Sequence, residues 1–156
     1  MTKKIISGKS HRFAVCGYGS ISKKHIANIK ESFSDAQITV LTTQTLEEIV
    51  FDKRVKFVRS LADLTMSQPD FCLIASPAPE HKQHLLSLSS LNKPLLVEKP
   101  LASSSADGEK IFDFVNQTNL NVRVAYDIRF SKALCVTQQA LLSGLIGAPL
   151  YVNCTV

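Results

Sequence analysis

Short apolar runs alternate along this chain with longer segments whose apolar residues recur every three or four positions. The short runs predict buried strands, and the longer spacing predicts helices that bury one face. The predicted strands are 12–16, 38–42, 56–58, 71–75, 95–98 and 122–125, and the helices between them are about 20–33, 79–91 and 104–118. A capping box of Thr45 and Glu48 predicts a further short helix. This alternation predicts an α/β fold with a doubly wound parallel sheet.

The pattern changes after residue 125. Residues 131–142 predict a helix that ends at Gly144 and Gly147, and residues 150–156 alternate like a strand with one exposed face. We therefore predict a first domain over 1–125, followed at 126–156 by a linker helix and the first strand of a truncated second α/β domain. Such a strand would expose an unpaired edge, so we expect a homo-oligomer.

Composition excludes several classes of protein. The 156 residues are 45% hydrophobic and 20% charged, with no apolar run long enough to span a membrane. The net charge of +5 comes from scattered lysines and arginines, which argues against a nucleic-acid partner. Four cysteines, none in a C-x-x-C pair, indicate neither a disulfide framework nor a zinc site and suggest the cytoplasm.

A glycine-containing loop follows the first strand and precedes the first helix. Gly17 permits a tight turn, Gly19 lets a phosphate approach the backbone, and Ser22 is the small residue at the third position of the motif. The following helix start offers free N–H groups to an anion. The loop predicts a dinucleotide site, with a cofactor-binding segment made of Gly17, Tyr18, Gly19, Ser20 and Ile21.

The end of the second strand bears on the choice between NAD and NADP. A site that prefers NAD usually carries Asp or Glu there, on the ribose 2′-hydroxyl. Here the strand ends in Thr42 and Thr43, without an acid or an arginine beside them. We expect these threonines to face the adenosine ribose, which leaves NAD and NADP both open and favours NADP slightly.

The motifs together resemble the N-terminal, NAD(P)-binding Rossmann domain of the Gfo/Idh/MocA oxidoreductases. The resemblance runs through the glycine loop with His25, then through Ala75-Ser76-Pro77 with His81, and through Glu98-Lys99-Pro100. It continues into 126–130 and 143–147, so it covers nearly the whole chain. It implies hydride transfer between a nicotinamide dinucleotide and a sugar, polyol or related hydroxyl substrate.

The resemblance also implies roles for particular residues. Lys99 matches the family lysine that binds the reacting hydroxyl and helps to hold the nicotinamide, and we expect it to be partly buried. Tyr126 and Arg129 match the segment where the chain leaves the first domain, and they are candidates for substrate contact. The remaining expected cofactor contacts are Ala75, Ser76, Pro77, His81, Glu98 and Pro100.

Two interpretations remain open. In the first, the chain is the cofactor domain of a dehydrogenase, incomplete for catalysis because no Asp-x-x-x-His element of the family's second domain occurs in it. In the second, it is a non-catalytic dinucleotide-binding or assembly protein. His81 and His84 have the spacing of a metal pair, but no third ligand accompanies them, so we predict no metal.

Overall fold

The computed structural model describes residues 10–44 and 52–153, which fall into two compact units divided between Ala125 and Tyr126. The first unit contains a six-stranded parallel sheet in the order β3-β2-β1-β4-β5-β6. Its strands are β1 Arg12–Cys16, β2 Gln37–Leu41, β3 Val55–Val58, β4 Phe71–Ile74, β5 Leu95–Val97 and β6 Val122–Val124. This order reverses between β1 and β4, as in a Rossmann sheet, and confirms the predicted fold class.

In the described part of the first unit, four helices connect these strands: α1 Ser20–Ser32, α2 Leu61–Met66, α3 Ala78–Ser89 and α4 Ser105–Thr118. Sequence analysis missed α2, which is only six residues long. The sequence feature that marks the start of α2 is its N-cap, where the Ser60 hydroxyl accepts a hydrogen bond from the Asp63 N–H at 3.1 Å. The capping box predicted at Thr45 and Glu48 lies outside the described residues.

Alternate residues of each central strand enter two different cores, as the period of two requires. Ala14 and Cys16 pack with the apolar residues of α2, α3 and α4, whereas Phe13 and Val15 pack with Ile26 of α1 on the other face of the sheet. The sheet is therefore buried on both sides at β1, which explains the uninterrupted apolar run there.

The cysteines of the sheet are structural. Cys16 and Cys72 are free thiols in the core. Burial raises the pKa of Cys72 to about 12, although nearby Lys93 opposes the shift. Burial likewise raises the pKa of Cys16 far above its usual range. Both remain protonated at neutral pH and are poor nucleophiles.

The second unit contains a short 3₁₀ helix, Asp127–Phe130, and α5, Lys132–Leu142. The predicted helix is thus confirmed, but the strand prediction is wrong for residues 150–153, which form no strand. Alternation of apolar residues specifies a strand only when a partner strand satisfies its backbone groups. Residues 154–156 lie outside the described part. Within the described residues, no helix is long and apolar enough to cross a membrane.

Asp52 fastens the start of β3 to the last turn of α1. Its carboxylate accepts hydrogen bonds from Lys30 Nζ at 2.6 Å and from the Arg54 backbone N–H at 2.9 Å. The Lys30 hydrogen bond, followed by that of the Arg54 N–H, holds the pKa of Asp52 well below its usual range. The stabilisation is therefore present above the unfolded-state pKa of about 4 and is lost as the pH falls through the lower folded-state value.

We predict that Asp52→Asn lowers the free energy of unfolding by about 1 kcal/mol at pH 7. The deficit should shrink as the pH falls below about 4, because the carboxylate of the unfolded wild-type chain then gains a proton while that of the folded chain is still charged. Urea unfolding at several pH values measures this. Asp113→Asn, an exposed position on α4, is the control and should change little. A deficit that does not vary with pH would contradict the role given to the carboxylate.

Candidate functional site

The carboxyl ends of four neighbouring strands enclose a cavity of about 490 Å³ at the point where the strand order reverses. Open α/β sheets bind ligands at this place. The loop after β1, the end of β2, the residues after β3 and the loop after β4 all line it. The predicted site residues that it brings together are Gly17, Tyr18, Gly19, Ser20, Ile21, Thr42, Thr43, Ala75, Ser76 and Pro77.

Backbone hydrogen bonds join the glycine loop to the end of β2 and the β4 loop to the end of β1. Gly17 N–H donates to Leu41 O at 2.9 Å, and Ala75 N–H donates to Cys16 O at 2.9 Å. Gly17 has φ +95°, a conformation that favours glycine. The loop leads directly into α1, whose cap residue is Gly19 and whose first turn carries no acidic side chain. The positive end of this helix therefore faces the cavity without an acid beside it.

Ser22 occupies the third motif position, where glycine or alanine is usual, and its side chain makes a hydrogen bond there. Its side chain is fully buried, and its hydroxyl donates to Ala75 O at 3.1 Å. A small side chain is needed here because helix and strand are close. The hydroxyl fits that space and also ties α1 to the end of β4.

Arg59 is one of the cavity residues that sequence analysis missed. It follows β3, and its Nη1 donates to Thr42 O at 2.7 Å and to Gln44 O at 2.6 Å. These bonds place a guanidinium at the end of β2, where no arginine was expected. Among the described residues no carboxylate forms an ion pair with it. The parallel pairing of β2 with β3 is the signal that could have located it.

The two histidines of α3 take different positions. His84 lines the cavity, and its Nδ1 lies 2.8 Å from the Ser76 hydroxyl. Burial lowers the pKa of His84, although the nearby Glu80 opposes this shift. The lowered pKa favours the neutral ring at pH 7. His81 is buried, with its ring nitrogens 3.0 Å from Pro100 O and 2.8 Å from Ser76 O. It joins the two loops and does not line the cavity.

Glu98, Lys99 and Pro100 follow β5, one strand further along the sheet than the cavity lining. Glu98 is buried, and its carboxylate lies 2.6 Å from His25 Nε2 and accepts the Lys99 N–H at 3.2 Å. The Lys99–Pro100 peptide is cis. The Lys99 side chain is exposed, so the partial burial expected from the sequence is wrong for this structure.

Tyr126 and Arg129 belong to the second unit, at the entry to its 3₁₀ helix and within it. Both are exposed, and the Arg129 guanidinium lies 5.8 Å from the ring centre of Phe130. Within the described residues no three metal-ligating side chains cluster.

Comparisons with known proteins agree with this geometry. The model of the Gfo/Idh/MocA family, described as an oxidoreductase family with an NAD-binding Rossmann fold, matches residues 11–126. The inositol 2-dehydrogenase/D-chiro-inositol 3-dehydrogenase of Halalkalibacterium halodurans is 27% identical over 150 residues, which are 92% of this chain and 43% of that protein. Inositol 2-dehydrogenase 1 of Mycolicibacterium vanbaalenii is 29% identical over 150 residues, 90% of this chain and 43% of its own length.

Solved structures share the fold at lower identity. The scyllo-inositol dehydrogenase of Lactobacillus casei, with bound NAD(H) and scyllo-inositol, has 24% identity and a TM-score of 0.76, covering 89% of this chain and 43% of that one. The WlbA dehydrogenase of Bordetella pertussis, in complex with NADH and UDP-GlcNAcA, has 20% identity and a TM-score of 0.73, covering 87% and 43%. This chain thus spans less than half the length of these relatives.

The family model covers most of the chain and matches the part that contains the sheet and the cavity. The resemblance seen in the sequence motifs is therefore confirmed. The chain belongs to the Gfo/Idh/MocA oxidoreductase family and contains its NAD-binding Rossmann domain.

Proposed function

We propose that this chain binds a nicotinamide dinucleotide for hydride transfer to or from a sugar, polyol or related hydroxyl compound. The observation that carries the proposal is the cavity at the reversal of strand order, bordered by the glycine loop and the start of α1. The turn that contains Lys99 follows β5, which pairs with β4. A phosphate-binding loop after β1 and a cation after β5, with only β4 between these strands, suit this chemistry.

The two glycines of the loop fit a dinucleotide for different reasons. A Cβ added at Gly17 would lie 2.7 Å from Ala75 O and 2.8 Å from Ser76 Cα, so the backbone of β4 excludes a side chain there. A Cβ added at Gly19 would meet no atom within 4 Å. Gly19 borders the open cavity, where a side chain would occupy the space that a pyrophosphate needs.

Lys99 is the residue that we assign to the chemistry. When bound, the nicotinamide supplies the hydride donor or acceptor. The exposed Lys99 ammonium can donate hydrogen bonds to a substrate hydroxyl and stabilise the negative charge that develops on its oxygen. The residues that we propose as substrate contacts are Lys99, Tyr126 and Arg129.

Arg59 favours NADP over NAD. Its Nη1 is engaged by two carbonyl oxygens at the end of β2, while the guanidinium keeps further N–H donors and an unpaired positive charge among the described residues. A ribose 2′-phosphate would accept hydrogen bonds from the remaining N–H donors and balance the positive charge. Thr42 and Thr43 line the same end of the cavity and carry hydroxyls. Among the described residues that line this end of the cavity, none is an acid that would repel the phosphate.

The substrate class rests on the relatives. Those named above are inositol dehydrogenases, and the WlbA structure is a complex with a sugar nucleotide. We therefore propose a polyol or a sugar derivative. The second unit exposes large apolar side chains such as Phe130, Leu142 and Leu145, which favours self-association, and the free thiols favour a cytoplasmic location.

A non-catalytic dinucleotide-binding or assembly protein is the second candidate, favoured by the position of Lys99 outside the lining of the cofactor cavity. The two candidates share the cofactor site and differ at Lys99. Binding experiments therefore test what they share, and turnover experiments separate them.

We predict that the chain binds NADPH more tightly than NADH, and that Arg59→Ala raises the Kd for NADPH about 10- to 100-fold, the effect of losing a charged hydrogen bond. The Kd for NADH should change less than about threefold. Calorimetry with both cofactors measures this, and Arg59→Lys, which keeps the charge, should fall between. Equal losses for both cofactors would instead indicate that Arg59 only holds the Thr42–Gln44 backbone.

We predict opposite consequences for the two glycines. Gly17→Ala should lower the free energy of unfolding by about 2 kcal/mol or more, because of its positive φ and the contact with β4. Gly19→Ala should fold like wild type and weaken dinucleotide binding at least about tenfold. Thermal unfolding and calorimetry on the two variants separate the effects. Unchanged binding in Gly19→Ala would place the phosphates elsewhere.

We predict that Lys99→Ala leaves the Kd for NADPH within about threefold and lowers kcat about 100-fold or more in a turnover-competent form of the protein. Lys93→Ala, an exposed lysine in the loop before β5, is the matched control. Wild-type turnover in Lys99→Ala would remove the catalytic role given to Lys99.

A further inference from the structure

Two side chains fasten one face of α1 to the ends of neighbouring strands. Ser22 and His25 are three residues apart and therefore lie on the same side of the helix. The Ser22 hydroxyl donates to Ala75 O, just after β4, at 3.1 Å. His25 Nε2 lies 2.6 Å from Glu98 Oε1, just after β5. The helix whose start faces the cavity is thus fixed to both strand ends.

The Glu98 carboxylate joins this helix to the backbone of Lys99. One oxygen pairs with His25, and the other accepts the Lys99 N–H at 3.2 Å. Glu98 is only 8% exposed, so its charge requires such partners. With both oxygens engaged by the protein, Glu98 holds the turn in place, although the sequence motif suggested a contact with the cofactor.

Lys99 itself is held by its backbone and not by its side chain. Besides the bond to Glu98, the next carbonyl, Pro100 O, lies 3.0 Å from His81 Nδ1. Within residues 10–44 and 52–153, the Lys99 ammonium forms no hydrogen bond or ion pair. A fixed backbone with an unengaged ammonium suits a group that must meet a ligand.

We propose that His25 and Glu98 are positioning residues, which hold the Lys99 peptide in a fixed place relative to α1 and the glycine loop. The importance of this placement rests on the function proposed above. Since the Nε2–H donor is present in the protonated ring and in one neutral tautomer, the proposal does not depend on the charge of His25.

The direct test is the Lys99 backbone amide, observed by ¹H–¹⁵N NMR on the chain without cofactor. His25→Leu removes the donor to Glu98, so we expect the Lys99 amide resonance to shift and its hydrogen exchange to accelerate about tenfold or more. His25→Gln, whose side-chain amide can donate from a similar place, should restore both. His11→Leu, directly before β1 and so at the amino ends of the strands, is the control and should leave Lys99 unchanged.

The outcomes separate a positioning role from a packing role. An unshifted Lys99 amide in His25→Leu, even with a lower Tm, would overturn the proposal. Failure of His25→Gln to restore the amide would also overturn it. If His25→Leu does not fold, Glu98→Gln serves instead. His25 and the Lys99 N–H use different oxygens of Glu98, and the amide replaces one of these oxygens by an NH2 group that cannot accept.

A second readout links the placement to chemistry. In a turnover-competent form, His25→Leu should lower kcat about tenfold with the KM for the dinucleotide within about threefold, and His25→Gln should recover kcat. The amide measurement uses no cofactor, so it can succeed while the proposed function fails. A displaced amide with unchanged kcat would mean that the placement of Lys99 does not serve hydride transfer.

Discussion

The passage of Gly17 over the end of β4 is the contact on which the site depends. The chain leaves β1 so close to Ala75 and Ser76 that no side chain fits between them. This close passage sets the start of α1, and the bonds from Ser22 and His25 then fix the helix against the ends of β4 and β5. Glycine loop, β4 loop and Lys99 turn are therefore parts of one packed arrangement, and a change in one displaces the others.

Charge around the cavity complements an anionic cofactor. The start of α1 and the Arg59 guanidinium both present positive charge to it, and among the described lining residues Glu80 is the acid. Within a cleft of low dielectric such charges act more strongly than on an open surface. The scattered basic residues of the chain add a weaker attraction at longer range.

The sequence predicted the sheet well because each central strand is buried on both faces and therefore leaves a continuous apolar run, as in 13–16 and 71–74. It predicted the glycine loop because both glycines lie in the short segment between a clear strand and a clear helix. It missed α2, whose six residues are too few for a periodic signal. It failed at 150–153 because alternation says nothing about a partner strand.

Contacts between distant residues were harder to predict. Arg59 is 17 residues from Thr42 and reaches it only because β2 and β3 are paired in parallel. The partnership of His25 with Glu98 crosses 73 residues and depends on how α1 lies over the sheet. His81 lies outside the cavity lining, because its two ring nitrogens contact the backbone carbonyls of Pro100 and Ser76. Such roles follow from tertiary packing and not from motif spacing.

The central claim is that a dinucleotide lies across the strand ends between the glycine loop and Arg59. Mapping the backbone amide resonances that shift when NADPH is added to the isotopically labelled chain tests it most directly. The account predicts that the largest shifts fall on residues 17–21, on 42–44 and on Ser76. Shifts confined to the groove formed by Phe71, Leu96 and Arg123, or the absence of shifts at saturating NADPH, would contradict it.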